Sequence, residues 1–489
     1  MSIILTNVSV TWQFWNREPS SSGGKCIAGA ISLDLSKLFF EIMVLINQDP
    51  GESQGKDRIS ELPDSLINLI LSFLPTKCVI STSVLSKRWR YIWTSVPVLE
   101  LEFPRTPELK EYTTREAERV RELYSSQHQR FMNFVDNKLS LHHETRDIKK
   151  FYLDCQCSPD IGFFPSSGTF ASLVTLEVDT LSPVYLPDAI NFPTLKICWL
   201  RNADLYMHST DLTRQFFSNL PVLEELELTD CQWNWFISEQ LSISAPALKY
   251  LSITGPNDDQ CYNEDFPSYE FIFNIFAPNL QSLRYTDIPA DDYILHRSES
   301  LVDAEIDFKR FGVPLPQGED LVATEVLEKL SNVKLLKISG ETFEALAFLN
   351  HLLTNWPMFH NLVHLEFISE VSFNNKNKTM LNFLRISPNL ETIVIASGFL
   401  GDLSSTDCGW TPGMVPQCML LHLKLVKLLE FAGFLEELNT VKSFLKNARV
   451  LRRMIIKFFS NLSAVQQNKI MKQLIKIPRG RSNCIMEVL

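Results

Sequence analysis

Apolar residues recur along most of the chain in one six-residue pattern, apolar-x-x-apolar-x-apolar. Leu223, Leu226 and Leu228 form one example, and successive copies begin 21 to 32 residues apart. Alternation at the fourth to sixth positions is typical of a strand with one buried face. We find twelve copies, which begin at Ile148, Leu173, Leu195, Leu223, Leu248, Leu280, Leu301, Val333, Leu362, Leu390, Leu420 and Leu451.

A proline stands two residues before the first apolar position in five of these copies. Proline cannot continue a helix and favours an extended conformation in the residue before it, so it marks the entry to each strand. The copies with this proline are those at Leu195, Leu223, Leu248, Leu280 and Leu390. The combination of pattern and period predicts a leucine-rich-repeat solenoid over residues 98–410.

The residues between the apolar positions of each copy are predicted to lie on the exposed face of the strands. A solenoid of this kind offers a long binding surface and no deep, water-free pocket. These intervening positions are therefore the candidates for contact with a target protein, and we single out Thr175, Glu177, Glu225, Glu227, Ser282 and Arg284.

Two other patterns flank the repeats. Residues 57–97 predict three short helices, with Pro63 at the start of the first and Trp89 and Trp93 on one face of the third. Leu62, Leu66, Ile70 and Leu74 recur every four residues and predict the apolar stripe of the first helix. Residues 1–56 before them form a poorly defined extension, rich in turn-forming residues.

The C-terminal segment, residues 411–489, alternates helical and strand patterns. Phe434, Leu438, Val441, Leu445 and Ala448 predict one helix, and Ser463 with Gln466 predicts a capping box at the start of another. A last strand is predicted over residues 484–488. This segment is expected to cap the open end of the repeats.

Composition and charge favour a non-secreted protein that does not act mainly on nucleic acid. The net charge is −11, and the 10 cysteines are scattered rather than set in a dense disulfide framework. The most apolar stretch, residues 38–46, falls short of the roughly 20 residues that a membrane helix needs. We therefore expect no membrane contact and a place in the nucleus or cytoplasm.

Motifs for catalysis, metal or cofactor binding are not found in the sequence. It contains no GxxxxGK[ST], HExxH or GxSxG motif and no calcium loop. His360 and His364 have helical metal-site spacing but flank a predicted strand, where their separation would be about 13 Å. Trp233 and Trp235 are candidates for recognition or for packing. We expect no catalytic residue, no metal and no cofactor.

The segment from Asp57 to Lys77, DRISELPDSLINLILSFLPTK, followed by TSVLSKRWRYIW at residues 82–93, resembles the F-box. The repeats, together with VPQCML at residues 415–420, NARVL at 447–451 and PRGRSNC at 478–484, resemble the rest of plant F-box/FBD/LRR-repeat proteins. Cys78 departs from the family pattern, which usually has an acidic residue there. The resemblance covers the chain from Asp57 onward.

The resemblance implies a substrate-recognition subunit of a Skp–cullin–F-box ubiquitin ligase. The F-box would dock on a Skp-type adaptor, and through it on a cullin, while the repeats hold a target protein for ubiquitination. A repeat-based scaffold that works outside a ligase is the alternative, and an enzyme with a dispersed site is a remote third. The implied adaptor-facing residues, some of which must instead hold the helices together, are Leu62, Pro63, Ile67, Ile70, Leu74, Pro75, Val79, Leu85, Ser86, Trp89 and Trp93.

The fold class expected from these observations is α/β. It combines a three-helix F-box at 57–97, a leucine-rich-repeat solenoid at 98–410 and a C-terminal α/β FBD cap at 411–489.

Overall fold

The structure is a computed structural model in which two compact units are distinguished. The first comprises residues 1–182 with 190–195, and the second comprises residues 183–189 with 196–489. The predicted extension 1–56 and Trp235 lie outside the described residues. The described residues are 62–103, 118–133 in part, 148–155, 171–180, 183–185, 192–206, 216–233, 240–255, 272–287, 292–295, 299–309, 326–343, 357–368, 371–372, 383–396, 399–400, 415–478 and 484–489.

The first unit begins with a small helical head. Asp64–Leu71 forms α1, Thr76–Ser81 forms α2 and Trp89–Ile92 forms α3, and short 3-10 turns follow α2 and α3. Pro63 and Pro75 each stand directly before a helix, where the absence of an N–H has no cost. The core of the head consists of Ile67, Leu71, Val79, Trp89, Ile92, Trp93 and Val96.

Three parallel strands follow the head within the first unit. Val98–Glu102 (β1) pairs with Lys150–Cys155 (β2), which pairs with Thr175–Thr180 (β3). The head is tied to this sheet because the Glu100 backbone N–H donates to Thr76 Oγ1 at 2.7 Å. The Thr76 hydroxyl thus joins helix to strand, and Pro75 occupies the cap position of α2.

The second unit contains a long series of parallel strands in which each strand pairs with the next of the series. Residues directly opposite one another belong to successive copies of the six-residue pattern. The order is Ile197–Arg201 (β5), Glu225–Thr229 (β7), Tyr250–Thr254 (β10), Ser282–Asp287 (β12), Asp303–Phe308 (β14), Leu335–Ile338 (β15), His364–Phe367 (β16), Thr392–Ile395 (β18), Leu425–Phe431 (β20), Arg453–Phe458 (β21) and Ile485–Val488 (β22).

Smaller parallel sheets lie in the segments between these strands. Pro183–Tyr185 (β4), Asp204–Tyr206 (β6) and Gln232–Trp233 (β8) form one such sheet. Gln240–Ser244 (β9), Ile272–Phe276 (β11) and Asp292–Leu295 (β13) form another, and Val371–Ser372 (β17) pairs with Phe399–Leu400 (β19). The α/β class is thus confirmed, and the sheets formed by the described strands are open.

The strands form because their alternate residues are buried. In eleven of the twelve copies, the first, fourth and sixth positions are buried, as at Leu223, Leu226 and Leu228. The copy at Leu420 was wrong by three residues, because Leu420 lies in a helix, Gln417–Leu421 (α4), that Pro416 begins. The buried trio of this copy is Leu423, just before β20, with Val426 and Leu428 within it. The apolar pattern fits a copy that begins at Leu420 and equally one that begins at Leu423. Only the end of the helix at His422 decides between these two registers.

Two helices alternate with the last strands. Leu435–Asn447 forms α5 and Ala464–Ile475 forms α6. The capping box predicted at Ser463 is confirmed, since the Gln466 N–H donates to Ser463 Oγ and the Ser463 N–H donates to Gln466 Oε1. Within the described part of the chain, no helix has both the length and the apolar character needed to cross a membrane.

Gly433, between β20 and α5, has a φ of +78°, in the left-handed region. A Cβ added there would lie 2.5 Å from Ile470 Cγ1 on α6. The nearby Glu437 carboxylate is buried and accepts from the N–H groups of Ala432 and Phe434, which holds the turn in place. This position therefore requires glycine for its backbone conformation and for the close approach of α6.

We expect Gly433→Ala to destabilise the C-terminal segment by about 1–3 kcal/mol from backbone strain, with a further cost from the contact with Ile470. Hydrogen exchange of residues 425–475 measures the local stability, and thermal unfolding measures the rest of the chain. The double variant Gly433→Ala/Ile470→Ala keeps the strain and removes the contact, although it also leaves a cavity. Unchanged exchange in Gly433→Ala would contradict this account.

Candidate functional site

Helix α1 carries apolar residues on two opposite faces. Ile67 and Leu71 are fully buried in the core of the head. Leu66 and Ile70 belong to the other face and are each 46% exposed, and Phe73, just after the helix, is 78% exposed. The predicted stripe is therefore not the buried face of the helix, since Leu66 and Ile70 within it are exposed. A helix this short with two apolar faces buries only one of them within its own domain.

Further exposed apolar side chains of the head come from the segments after α1. We define the apolar surface of the head as the seven large apolar residues that are at least 45% exposed there. Exposed residues scattered singly are ordinary, but a dense group on one small domain indicates a contact surface. The set consists of Leu66, Leu69, Ile70, Phe73, Val84, Leu85 and Tyr91.

The structure divides the eleven residues for which adaptor contact was predicted. Ile67, Val79, Trp89 and Trp93 are buried in the core. Leu62 and Leu74 pack partly against that core, and Pro75 is half-buried. The remaining residues are exposed and are Pro63, Ile70, Leu85 and Ser86.

The apolar surface contains five residues that the predicted adaptor set left out. Three of the five belong to the series Leu66, Leu69, Ile70 and Phe73, whose spacing at i, i+3, i+4 and i+7 is a second helical stripe. It was obscured because Ile67 and Leu71 give the same helix another stripe. Val84 and Tyr91 have no such periodic signal, since they lie in a short turn and a four-residue helix.

An ion pair ties the start of α1 to the segment before α3. Arg88 Nη2 lies 2.6 Å from Asp64 Oδ1, and Arg88 Nε donates to the same oxygen at 3.1 Å. Arg88 Nη2 also donates to the Leu62 carbonyl. The start of α1 and the turn before α3, which are distant in sequence, are thus held together.

Partial burial changes the pKa values of two side chains of α2, Lys77 and Cys78. Burial raises the pKa of the Cys78 thiol, and it lowers the pKa of the adjacent Lys77. The thiol is consequently neutral at physiological pH. Where the F-box usually offers an acidic side chain, this head offers no negative charge.

The exposed face of the sheet in the second unit carries a row of alternating charges. Arg284 Nη2 lies 3.2 Å from Glu305 Oε2, and Lys337 Nζ lies 3.6 Å from the same oxygen and 3.7 Å from Glu366 Oε2. His364 Nε2 is 3.6 Å from Glu366, but burial lowers the pKa of His364 and disfavours its charged form. Opposite charges on neighbouring strands stabilise the register of the sheet.

All six residues predicted to face a target lie at positions that alternate with buried residues. Thr175, Glu177, Glu225, Glu227 and Ser282 are half-buried, and Arg284 is exposed. Four of them have a charged residue as partner, since Glu177 pairs with Lys150, Glu227 with Arg201, Ser282 with Asp303 and Arg284 with Glu305. Glu225 accepts from Trp199 Nε1 at 2.9 Å.

In the first unit, the exposed face of β1–β3 is strongly acidic. Tyr152 on β2 stands between Glu100 on β1 and Glu177 on β3 in the strand register. Burial, followed by the negative charges of Asp154, Glu102 and other carboxylates, raises the pKa of Tyr152 to about 12. The phenol therefore stays protonated and is a hydrogen-bond donor at physiological pH.

Among the described residues, no group of three or more His, Cys, Asp and Glu side chains is arranged to hold a metal ion. The six cysteines described are free thiols. Burial raises the pKa of Cys198 to about 12, so this thiol is not a reactive thiolate.

Comparisons with known proteins give two family matches. The F-box domain matches residues 59–101, and the family described as FBD matches residues 412–456. An F-box/LRR-repeat protein of Arabidopsis thaliana is 31% identical over 379 residues, which cover 70% of this chain and 92% of the relative. A putative F-box/FBD/LRR-repeat protein of the same plant is 27% identical over 465 residues, which cover 89% of this chain and all of the relative.

The chain belongs to the plant F-box/FBD/LRR-repeat family. The helical head lies inside the F-box match, and α4, β20 and α5 lie inside the FBD match. An F-box implies interaction with a Skp-type adaptor in general, and F-box/LRR proteins are generally non-catalytic adaptor subunits. No catalytic family is among the matches.

We expect Ile67→Ala and Ile70→Ala to have different effects on the F-box, although only three residues separate them. Ile67→Ala leaves a cavity in the core and should cost about 2–5 kcal/mol, whereas Ile70→Ala should cost less than about 1 kcal/mol. Local stability is measured by hydrogen exchange of residues 62–96 in the full chain. Equal protection in the two variants would show that the two faces of α1 are not distinct.

Proposed function

We propose that this protein is the substrate-recognition subunit of a Skp–cullin–F-box ubiquitin ligase. The single observation that carries the proposal is the apolar surface of the head, which lies within the matched F-box. Seven large apolar residues are exposed there, and four of them form one stripe along α1 and the turn after it. A surface of this composition is suited to burial against a partner protein.

Within the predicted adaptor set, burial suggests two roles. Pro63, Ile70, Leu85 and Ser86 are proposed to contact the adaptor, with Leu62, Leu74 and Pro75 at the margin. Ile67, Val79, Trp89 and Trp93 are proposed to act indirectly, because they hold the helices that present the surface. Leu66, Leu69, Phe73, Val84 and Tyr91 join the contact residues.

The repeats are proposed to form a leucine-rich-repeat solenoid whose exposed strand faces bind a target protein. Support comes from the parallel, in-register strands and from relatives whose names include LRR repeats. Such a subunit makes and breaks no bond itself. It holds the target near a ubiquitin-charged conjugating enzyme, and this proximity makes the transfer nearly intramolecular.

We expect Ile70→Glu to reduce capture of a plant Skp-type adaptor by the full-length protein at least tenfold. The substitution places a charge in an interface where no partner compensates it. Val465→Glu is the matched control, because Val465 on α6 is also an exposed apolar residue but lies in the FBD segment. Capture is measured by pull-down, and thermal unfolding shows that both variants fold.

If the folded Ile70→Glu variant captured as much adaptor as the wild type, the adaptor would not bind the apolar surface. Failure of the wild type to retain adaptor would overturn the ligase proposal as a whole.

A second measurement separates a ligase subunit from the ligase-independent scaffold. The wild type and Ile70→Glu are each combined with adaptor, cullin module, ubiquitin and its activating and conjugating enzymes. We expect ubiquitin conjugates in the presence of the wild type and a loss of at least tenfold with Ile70→Glu. Adaptor capture without cullin recruitment or conjugates would favour the scaffold.

A further inference from the structure

Three side chains stand together on the exposed face of β5, β7 and β10 in the second unit. Glu225 on β7 is directly opposite Tyr250 on β10 in the parallel register. On the other side, Trp199 on β5 donates from its indole Nε1 to Glu225 Oε1 at 2.9 Å. A carboxylate is thus flanked by two aromatic side chains, which we call the Trp–Glu–Tyr site.

The carboxylate of this site lacks a basic partner. Within the second unit, Glu227, Glu305, Glu366 and Glu487 on strands of the same series each lie within 4 Å of an Arg or Lys nitrogen. No ion pair joins Glu225 to any residue that the structure describes. Its negative charge is held in position by a neutral N–H donor, and among the described residues no Arg or Lys nitrogen lies within 4 Å of it, since the nearby Lys196 and Lys249 pair with Glu224 instead.

Neighbouring side chains hold the Trp199 ring of the site in place. Arg201 stacks over the Trp199 ring at 5.3 Å and donates from Nε and Nη2 to Glu227 Oε1 at 3.1 and 3.0 Å. The charge of Arg201 is therefore balanced by Glu227 and does not balance Glu225. Trp199 is fixed by two contacts before any ligand arrives, while Tyr250 is 49% exposed.

A fixed carboxylate beside aromatic rings is an arrangement that attracts a cation. The carboxylate supplies charge-assisted hydrogen bonds, and the faces of Trp and Tyr attract positive charge through their quadrupoles. Trp and Tyr are also the residue types that most often dominate the binding energy at protein interfaces. A neutral or acidic ligand group would leave the charge of Glu225 uncompensated.

We propose that the Trp–Glu–Tyr site receives a positively charged side chain, lysine or arginine, of the target protein. The ligand cation takes the place that a basic residue of this chain occupies beside Glu227, Glu305, Glu366 and Glu487. This inference rests on the proposed function, because it names the chemistry of the target that the repeats would hold. Its test uses neither adaptor nor ligase activity, so that either proposal can fail while the other stands.

The test is a titration of the full-length protein labelled with 5-fluorotryptophan and followed by fluorine NMR. The chain has 9 tryptophans, and the Trp199→Phe variant assigns the Trp199 resonance. The probe is N-acetyl-arginine N-methylamide at constant ionic strength. Its neutral isostere, N-acetyl-citrulline N-methylamide, controls for shape and hydrogen bonding without charge.

We expect the arginine probe to shift the Trp199 resonance with half-saturation in the millimolar range, and the citrulline probe to be at least fivefold weaker. Glu225→Gln should weaken the arginine response at least fivefold, because the amide can still accept from Trp199 but carries no charge. Glu366→Gln is the matched control, since Glu366 lies on the same face but has Lys337 as its partner. This variant should respond like the wild type.

Three results would overturn the proposal. They are a resonance that does not move, an equal response to both probes, and an undiminished response in Glu225→Gln. None of them would bear on adaptor capture by the F-box. A response lost in Glu225→Gln and kept in Glu366→Gln supports the site directly.

Discussion

Backbone hydrogen bonding between successive parallel strands is the interaction on which the repeat structure depends. Each strand of the long series in the second unit is only four to seven residues long and cannot satisfy its N–H and C=O groups alone. Pairing with the next copy satisfies them and brings the apolar residues of both copies into one core. Because neighbouring strands pair residue for residue, the exposed side chains also form continuous rows, and these rows carry the candidate binding chemistry.

The F-box is limited by its size, because a head of about 40 residues has only a marginal core of its own. Its helices bury two tryptophans and five aliphatic residues, yet α1 still presents Leu66, Leu69 and Ile70 to solvent. The head gains nothing in its own stability from this second apolar face. The cost of exposing it is offset when a partner covers the face, which explains why such a small domain is suited to docking.

The exposed face of the sheet shows how charge pairing and recognition compete for the same positions. Most of its glutamates are neutralised by an Arg or Lys on a neighbouring strand, so that they contribute to register and little to binding. Glu225 differs because its neighbours in register are Ile197 and Tyr250, neither of which carries a positive charge at neutral pH. A change of one neighbour to lysine would convert a binding position into an ordinary ion pair.

The sequence by itself determined the class of the fold, because the apolar pattern and its prolines dictate where buried strands occur, and the F-box motif is continuous in sequence. It also predicted the capping box at Ser463, which depends on residues three apart. It did not decide the register at Leu420, since a shift of three residues satisfies the same pattern and only the end of α4 excludes it. Nor did the sequence show that Ile67 is buried while Ile70 is exposed, or that Glu225 has no ion-pair partner among the described residues. Those properties depend on which side chains face one another across helices and strands distant in sequence, and only tertiary packing brings these together.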